Sequence, residues 1–177
     1  MRAVIVLFLF FSTALKAQDT TDSQLYKNVR AQAHAYAENL FVYRNYTYTI
    51  AHTYPLIVQE YGGAEKMKEA LKKGLSNFDK LDSENIIYDV DVAAGIPAKI
   101  VDTAQQLQCI VPDTMIVSII TKQTIEKTAG AVPLIGISED GGNTWYFCFQ
   151  GGSGYEKMKE NIPTLSSQLI FLPVKKP

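Results

Sequence analysis

The spacing of the apolar residues changes once along the chain, and this change limits the fold more than any other feature. Behind Thr21 the apolar positions recur at steps of three and four, as on one face of a helix: Leu25, Val29, Ala33, Tyr36, Leu40 and Tyr43. From Asn85 the period is two, with Ile86, Tyr88, Val90 and Val92 on one face and Ile87, Asp89 and Asp91 on the other. A helical segment followed by strands predicts an α+β fold.

Local signals place three helices before the strands. Thr21–Gln24 has the spacing of a capping box at the start of the first helix. Pro55 fits the first turn of a second, short helix, which Gly62-Gly63 would end. The third helix is predicted to begin near Ala64.

Six further strands and a last short helix follow the strand that begins near Asn85. The strands are predicted at Ala98–Asp102, Gln105–Val111, Thr114–Lys122, Thr124–Ala129, Pro133–Ser138 and Thr144–Phe149. Turn-prone residues separate them, which is typical of an antiparallel meander. We therefore expect three N-terminal helices packed on a curved antiparallel sheet. After a flexible joint at Gly151–Gly154, a short helix is expected at Tyr155–Asn161.

The first residues have the pattern of a secretory signal peptide. Arg2 precedes the apolar run Ala3–Phe11, and the small residue Ala17 offers a cleavage site. The run is too short to span a bilayer, which needs about 20 residues. The prediction is an exported protein, secreted or periplasmic, with a signal peptide at 1–17, a single domain at 18–162 and a loosely attached tail at 163–177.

Charge and residue types exclude several kinds of partner. The chain has 17 Lys and Arg against 18 Asp and Glu, and the signal peptide would remove Arg2 and Lys16, leaving a mildly acidic domain. Nucleic acid is therefore not an expected partner, since it favours a basic face. His34 and His52 are the only histidines, so we predict no metal site, and the sequence indicates no cofactor.

The two cysteines allow two interpretations. In an oxidising compartment, Cys109 and Cys148 could form a disulfide. Both lie in apolar, strand-like segments, so they could equally be two buried thiols packed as small hydrophobic side chains.

One motif is typical of a structural turn. Residues 138 to 145 match the Ser-x-Asp-x-Gly-x-Thr-Trp pattern of an Asp-box hairpin, in which Asp140 and Ser138 bond the turn backbone and Trp145 packs beneath it. Sialidase-like propellers carry several copies, whereas this chain has one and is too short for a propeller. The motif predicts a hairpin rather than a glycan site.

Candidate functional residues come from the aromatic segment and the strands. His52 lies among tyrosines at 46, 48 and 54 and could line an aromatic cavity, although ordinary packing would explain the same pattern. Asp89 and Asp91 could act as an acid–base pair, but the strand alternation favours a solvated face. The candidate ligand-binding residues are Tyr48, His52, Tyr88 and Trp145.

Four segments between Tyr46 and Tyr155 carry a resemblance to a known superfamily. They are Thr53-Tyr54-Pro55 with Val58, Gly62-Gly63-x-Glu65-Lys66-Met67, Leu107-x-Cys109-Ile110-Val111-Pro112, and Ile137-Ser138-x-Asp140-Gly141-Gly142-x-x-Trp145-x-Phe147. They resemble a group of uncharacterised small secreted bacterial proteins of the nuclear transport factor 2-like, or cystatin-like, superfamily. The resemblance implies a cone-shaped fold with a pocket inside the cone.

The resemblance leaves the activity open. The superfamily includes ketosteroid-isomerase-like and polyketide-cyclase-like enzymes and also members that only bind or dimerise. The isomerase pattern needs an acidic base and an oxyanion hole formed by a tyrosine and a protonated acid. This set does not map onto the chain residue by residue, so no catalytic residue is carried over.

Three hypotheses follow for the function. The first is a non-catalytic exported domain that binds a small apolar ligand or a protein partner. The second is an enzyme of the isomerase, dehydratase or cyclase type, with Tyr48, His52 or Tyr88 in the cone. The third is a structural homodimer packed sheet to sheet.

Overall fold

The α+β architecture is confirmed by the computed structural model, which describes residues 24–81, 87–103, 105–150 and 154–172. The helices are α1 (24–41), α2 (Tyr46–Ala51), α3 (Pro55–Glu60), α4 (Ala64–Leu81) and α5 (Gly154–Asn161). The strands are β1 (Ile87–Ala94), β2 (Ile100–Asp102), β3 (Leu107–Val111), β4 (Asp113–Ile120), β5 (Ile125–Ala131), β6 (Leu134–Ser138) and β7 (Tyr146–Phe149). The predicted signal peptide, the first three residues of the capping box, Ile86, the joint at 151–153 and the end of the tail at 173–177 lie outside the described residues.

The helices α1, α3 and α4 are the three that the sequence predicts. Between α1 and α3 the aromatic and β-branched segment forms the additional short helix α2. The Asn45 side chain caps this helix by accepting a bond from the Tyr48 N–H at 3.2 Å.

The strands form two hydrogen-bonded antiparallel groups with the orders β1-β4-β5 and β2-β3-β6-β7. Only Pro112 separates β3 from β4, so one chain segment belongs to both groups. The Gly95 N–H donates to the Pro112 carbonyl at 2.7 Å, and the Val132 N–H donates to the Asp113 carbonyl at 2.8 Å. These bonds continue the pairing of the three-stranded group as far as the junction with β3, where the sheet curls, a shape compatible with the expected cone.

The curl requires a glycine at position 95. A Cβ there would lie 2.8 Å from the carbonyl oxygen of Pro112, which is closer than two such atoms can approach. The bend therefore depends on the close backbone approach that only glycine permits.

Both faces of the four-stranded group are covered. Cys109 and Val111 face α1, where they pack with Val29 and Ala33. Ile110 lies on the other face, in a cluster formed with residues of α3, α5 and the C-terminal segment 162–172. Because neighbouring residues of a strand point to opposite faces, β3 and β6 are buried almost throughout.

The segment 163–172 differs from the expected loose tail. Leu165 and Leu169 are only 2% and 9% exposed. They belong to the cluster that contains Ile110, on the face of the sheet opposite α1. The side chain of Gln108 donates to the carbonyl of Thr164 at 2.9 Å and accepts from the N–H of Ser166 at 2.8 Å. Apolar burial and hydrogen bonds thus hold this segment on the sheet.

Candidate functional site

A cleft lies beside the edge strand β7, where the helices meet the sheet. Its volume is about 300 Å³, which is at the lower end of the range for small-molecule sites. Its lining comes from α1, α3, α4, α5 and β7 and comprises Tyr36, Thr53, Ile57, Glu60, Tyr61, Met67, Leu71, Cys148, Phe149, Met158 and Asn161.

The segment between α2 and α3 is fixed to β7 and holds Thr53 in the cleft. The N–H of Phe147 donates to the carbonyl of His52 at 2.8 Å, and the N–H of Tyr54 donates to the carbonyl of Phe147 at 3.0 Å. Thr53 thereby forms a parallel bridge with Phe147. Its side chain is placed by the backbone rather than by a flexible loop.

The polar floor of the cleft is a chain of buried hydroxyl groups. The Tyr36 hydroxyl lies 3.1 Å from the Thr53 hydroxyl, which donates to the carbonyl of Thr49 at 2.9 Å. Tyr36 is 1% exposed and also contacts the ring of Phe147 at a centroid distance of 5.4 Å. The floor is therefore rigid as well as polar.

The floor is uncharged at physiological pH. Burial raises the pKa of Tyr36 above the usual tyrosine range. Burial likewise raises the pKa of the Cys148 thiol to about 12. Because a thiol is nucleophilic only as the thiolate, Cys148 is an unreactive wall residue.

Apolar side chains make up most of the walls. Ile57 and Met67 are buried, while Leu71 and Phe149 are half-buried at the opening. Glu60 is an exposed acidic residue on the lining. An apolar enclosure with a few convergent polar groups is the usual arrangement of a small-molecule site.

The four candidate residues from the sequence do not line this cleft. Tyr48 and His52 stack on each other, with ring centroids 4.0 Å apart, and His52 Nδ1 lies 2.9 Å from the Tyr48 carbonyl oxygen. Both are half-buried on α2 and its C-terminal cap. Tyr88 lies half-buried on β1, in the three-stranded group.

Trp145 and the Asp-box form the structural hairpin that the motif predicts. The Ser138 hydroxyl donates to Asp140 at 2.8 Å and accepts from the Gly142 N–H at 2.9 Å. The indole of Trp145 is fully buried and donates to the Gly142 carbonyl at 3.0 Å. Trp145 packs with α1 beneath the turn, so it supports the sheet and does not line the cleft.

The possible disulfide between Cys109 and Cys148 is not formed, and both cysteines are buried free thiols. Cys109 faces α1, whereas Cys148 faces the opposite side of the sheet. The strand β6 lies between their strands. Two cysteines with this separation and orientation cannot be bridged without moving the backbone.

Other sequence candidates occupy solvated or structural positions. Asp89 and Asp91 are exposed on β1, and Asp91 accepts a bond from the N–H of Val92 at 2.8 Å. Among the described residues, no group of three or more His, Cys, Asp or Glu side chains could hold a metal ion. Within the same ranges, no helix has the length and hydropathy to cross a membrane.

No direct signal in the sequence marks the cleft. Tyr36 falls on the apolar stripe of α1, where its spacing predicts a core residue. Its hydroxyl becomes part of a site only because Thr53, 17 positions later, returns to the same edge of the sheet. A tyrosine in an apolar stripe, with a hydroxyl that needs a partner when buried, is the one hint that the sequence contains.

Comparison with known proteins yields no match, either to a family model, to a curated protein or to a solved structure.

Proposed function

We propose that this protein binds a small, mainly apolar molecule in the cleft beside β7. The observation that carries the proposal is the cleft itself, an apolar space of about 300 Å³ with a polar floor built from Tyr36 and Thr53. Such a site buries most of the surface of a small ligand and uses few polar contacts for orientation.

Binding without catalysis is supported by the chemistry of the lining. The Cys148 thiol is protonated at physiological pH because burial raises its pKa to about 12. His52, which the enzyme hypothesis places in the cone, bonds the Tyr48 carbonyl and does not line the cleft. Within the part of the chain that the structure describes, no residues of the cleft pair a nucleophile with a base and an orienting group.

We further propose that the chain is an exported member of the nuclear transport factor 2-like superfamily. The pattern of residues 1–17 supports secretion or a periplasmic location. The four sequence segments quoted above, together with a helical half packed on a curled antiparallel sheet, support the superfamily. In such a protein the ligand would be bound outside the cytoplasm.

The test fills the cleft and compares ligand binding. The substitution Leu71→Trp places a large ring in the opening, while Lys72→Trp adds the same ring at the next, exposed position of α4. The uncharged fluorescent probe N-phenyl-1-naphthylamine reports binding to apolar sites. We expect Leu71→Trp to weaken its binding at least ten-fold and Lys72→Trp to leave it unchanged.

Native mass spectrometry of the protein purified from its host's exported fraction provides a second readout. A ligand of a few hundred daltons should accompany the wild-type chain and Lys72→Trp but be lost from Leu71→Trp. Equal probe binding by the wild type and Leu71→Trp would show that the cleft is not the binding site and would refute the proposal.

A further inference from the structure

We infer that the cleft selects an uncharged ligand whose polar end donates a hydrogen bond, such as an alcohol or a phenol, and that it rejects anions. This inference rests on the proposed function. It follows from the direction of the hydrogen bonds on the floor and from the charges around it.

The hydroxyl chain leaves an acceptor, not a donor, facing the cleft. Thr53 has one hydroxyl proton, and it is donated to the carbonyl of Thr49, which can only accept. With that proton committed, the 3.1 Å contact between the two hydroxyls forms a bond with Tyr36 as donor and Thr53 as acceptor, and both hydroxyl protons are then bonded within the protein. What remains at the Tyr36 oxygen is the capacity to accept a further bond.

A ligand hydroxyl can use this acceptor, whereas a carbonyl or ether oxygen cannot. Two acceptors placed against each other leave both unsatisfied, and an unsatisfied buried polar group costs about 1–3 kcal/mol. The floor therefore discriminates by the direction of the bond and not merely by polarity.

The charges around the cleft disfavour an anionic ligand. Among the described residues that line the cleft there is no Lys or Arg, and the one charged residue is the acidic Glu60. A carboxylate or phosphate entering the cleft would lose its hydration without gaining a cationic partner. Fatty acids and phosphorylated molecules are therefore excluded, although their apolar parts would fit.

Three naphthalene probes of the same shape test the inference. The probes are 2-naphthol, which donates and accepts, 2-methoxynaphthalene, which only accepts, and 2-naphthoate, which is an anion at pH 7. One net hydrogen bond changes affinity about five-fold. We expect the wild type to bind 2-naphthol at least about five-fold more tightly than either of the others.

Two substitutions change the floor in different ways. Thr53→Val removes the acceptor of the Tyr36 proton, so the phenol can donate to the ligand. The affinity for 2-methoxynaphthalene should then rise and the preference for 2-naphthol should shrink or reverse. Tyr36→Phe removes the acceptor, so 2-naphthol should lose about five-fold in affinity and the two probes should bind equally.

Tyr43→Phe is the matched control, because this tyrosine is exposed after the end of α1, donates to Glu38 and does not line the cleft. It should retain the wild-type preference. If the wild type binds 2-methoxynaphthalene or 2-naphthoate as tightly as 2-naphthol, while Leu71→Trp still abolishes binding, the inference is wrong and the proposed function stands. If the wild type binds none of the probes, including N-phenyl-1-naphthylamine, both fail.

Discussion

Asp113 is a buried carboxyl group at the line where the sheet curls. It is 2% exposed, its Oδ1 accepts from the N–H of Thr114 at 2.8 Å, and among the described residues its Oδ2 has no hydrogen-bond partner. Burial raises its pKa from 3.8 to about 6, although the bond from Thr114 and the nearby His34 oppose the increase. A carboxylate in this position destabilises the fold at neutral pH.

The pH dependence follows from this increase. Between about pH 4 and pH 6 the folded chain binds the Asp113 proton more tightly than the unfolded chain does. The free energy of unfolding therefore falls as the pH rises through this window and stays lowered above it. Asp113→Asn removes the charge, so it should increase the free energy of unfolding by about 2 kcal/mol at pH 8 and by much less at pH 4.

Urea denaturation at the two pH values measures this difference. Asp89→Asn is the control, since Asp89 is exposed on β1 and its replacement should have little effect at either pH. A loss of stability in Asp113→Asn at pH 8 would show that the carboxylate has a stabilising partner.

At the residue scale, the sequence predicts what local motifs encode. The Asp-box residues Ser138, Asp140 and Trp145 form the predicted hairpin because their spacing alone satisfies the turn. The cleft residues Tyr36 and Thr53 come together only because the segment after α2 pairs with Phe147 of β7. No local pattern marks a contact of that kind, so the sequence points instead to His52 and its neighbouring tyrosines, which do not line the cleft.

At the scale of elements, two buried glutamines attach the C-terminal segment to the sheet. Gln108 bonds the backbone of Thr164 and Ser166, and Gln150 bonds both the N–H and the carbonyl of Leu172. Each side-chain amide acts as a peptide group would in a sheet ladder. The segment has no helix or strand period, and its anchors lie on β3 and directly after β7, so the sequence predicts a loose tail instead.

The glutamine anchor can be removed selectively. Gln108→Leu retains a side chain of similar size on the sheet but replaces its amide with an apolar group. The Thr164 carbonyl and the Ser166 N–H then lose their bonds to this side chain. We expect a loss of about 2–4 kcal/mol in the free energy of unfolding, because each buried unsatisfied group costs about 1–3 kcal/mol. Gln123→Leu, at an exposed turn position, should change stability by less than about 0.5 kcal/mol.

Hydrogen exchange of single amides distinguishes this anchor from general destabilisation. In Gln108→Leu the N–H of Ser166 should exchange faster, whereas the N–H of Leu172, which bonds Gln150, should follow the global change. Equal acceleration at both positions would show that the segment detaches as one unit and that Gln108 is not a local anchor.

On the scale of the whole molecule, the two strand groups are covered to different extents. In the four-stranded group, β6 is buried at every residue, between α1 on one face and the cluster that contains Ile110 on the other. In the three-stranded group, the edge strand β5 is exposed at every residue. Alternation and turn residues predict all seven strands to within two residues. They do not predict this contrast, because the cover over β6 comes from helices and from residues 162–172.

This contrast predicts the order in which the sheet opens. Amides of β3 and β6 should exchange only through global unfolding, since both faces around them are packed. Amides of β5 that bond β4 should exchange through local opening, at least ten-fold faster, because an exposed edge strand has few buried contacts to lose.

Native-state hydrogen exchange at low and high protein concentration measures both rates. If β5 is as protected as β6, and its protection grows with concentration, the edge pairs with a second copy of the chain, a homodimer joined at the strand edge and not packed sheet to sheet. If β5 exchanges quickly at all concentrations, β5 is a free edge of the sheet in solution.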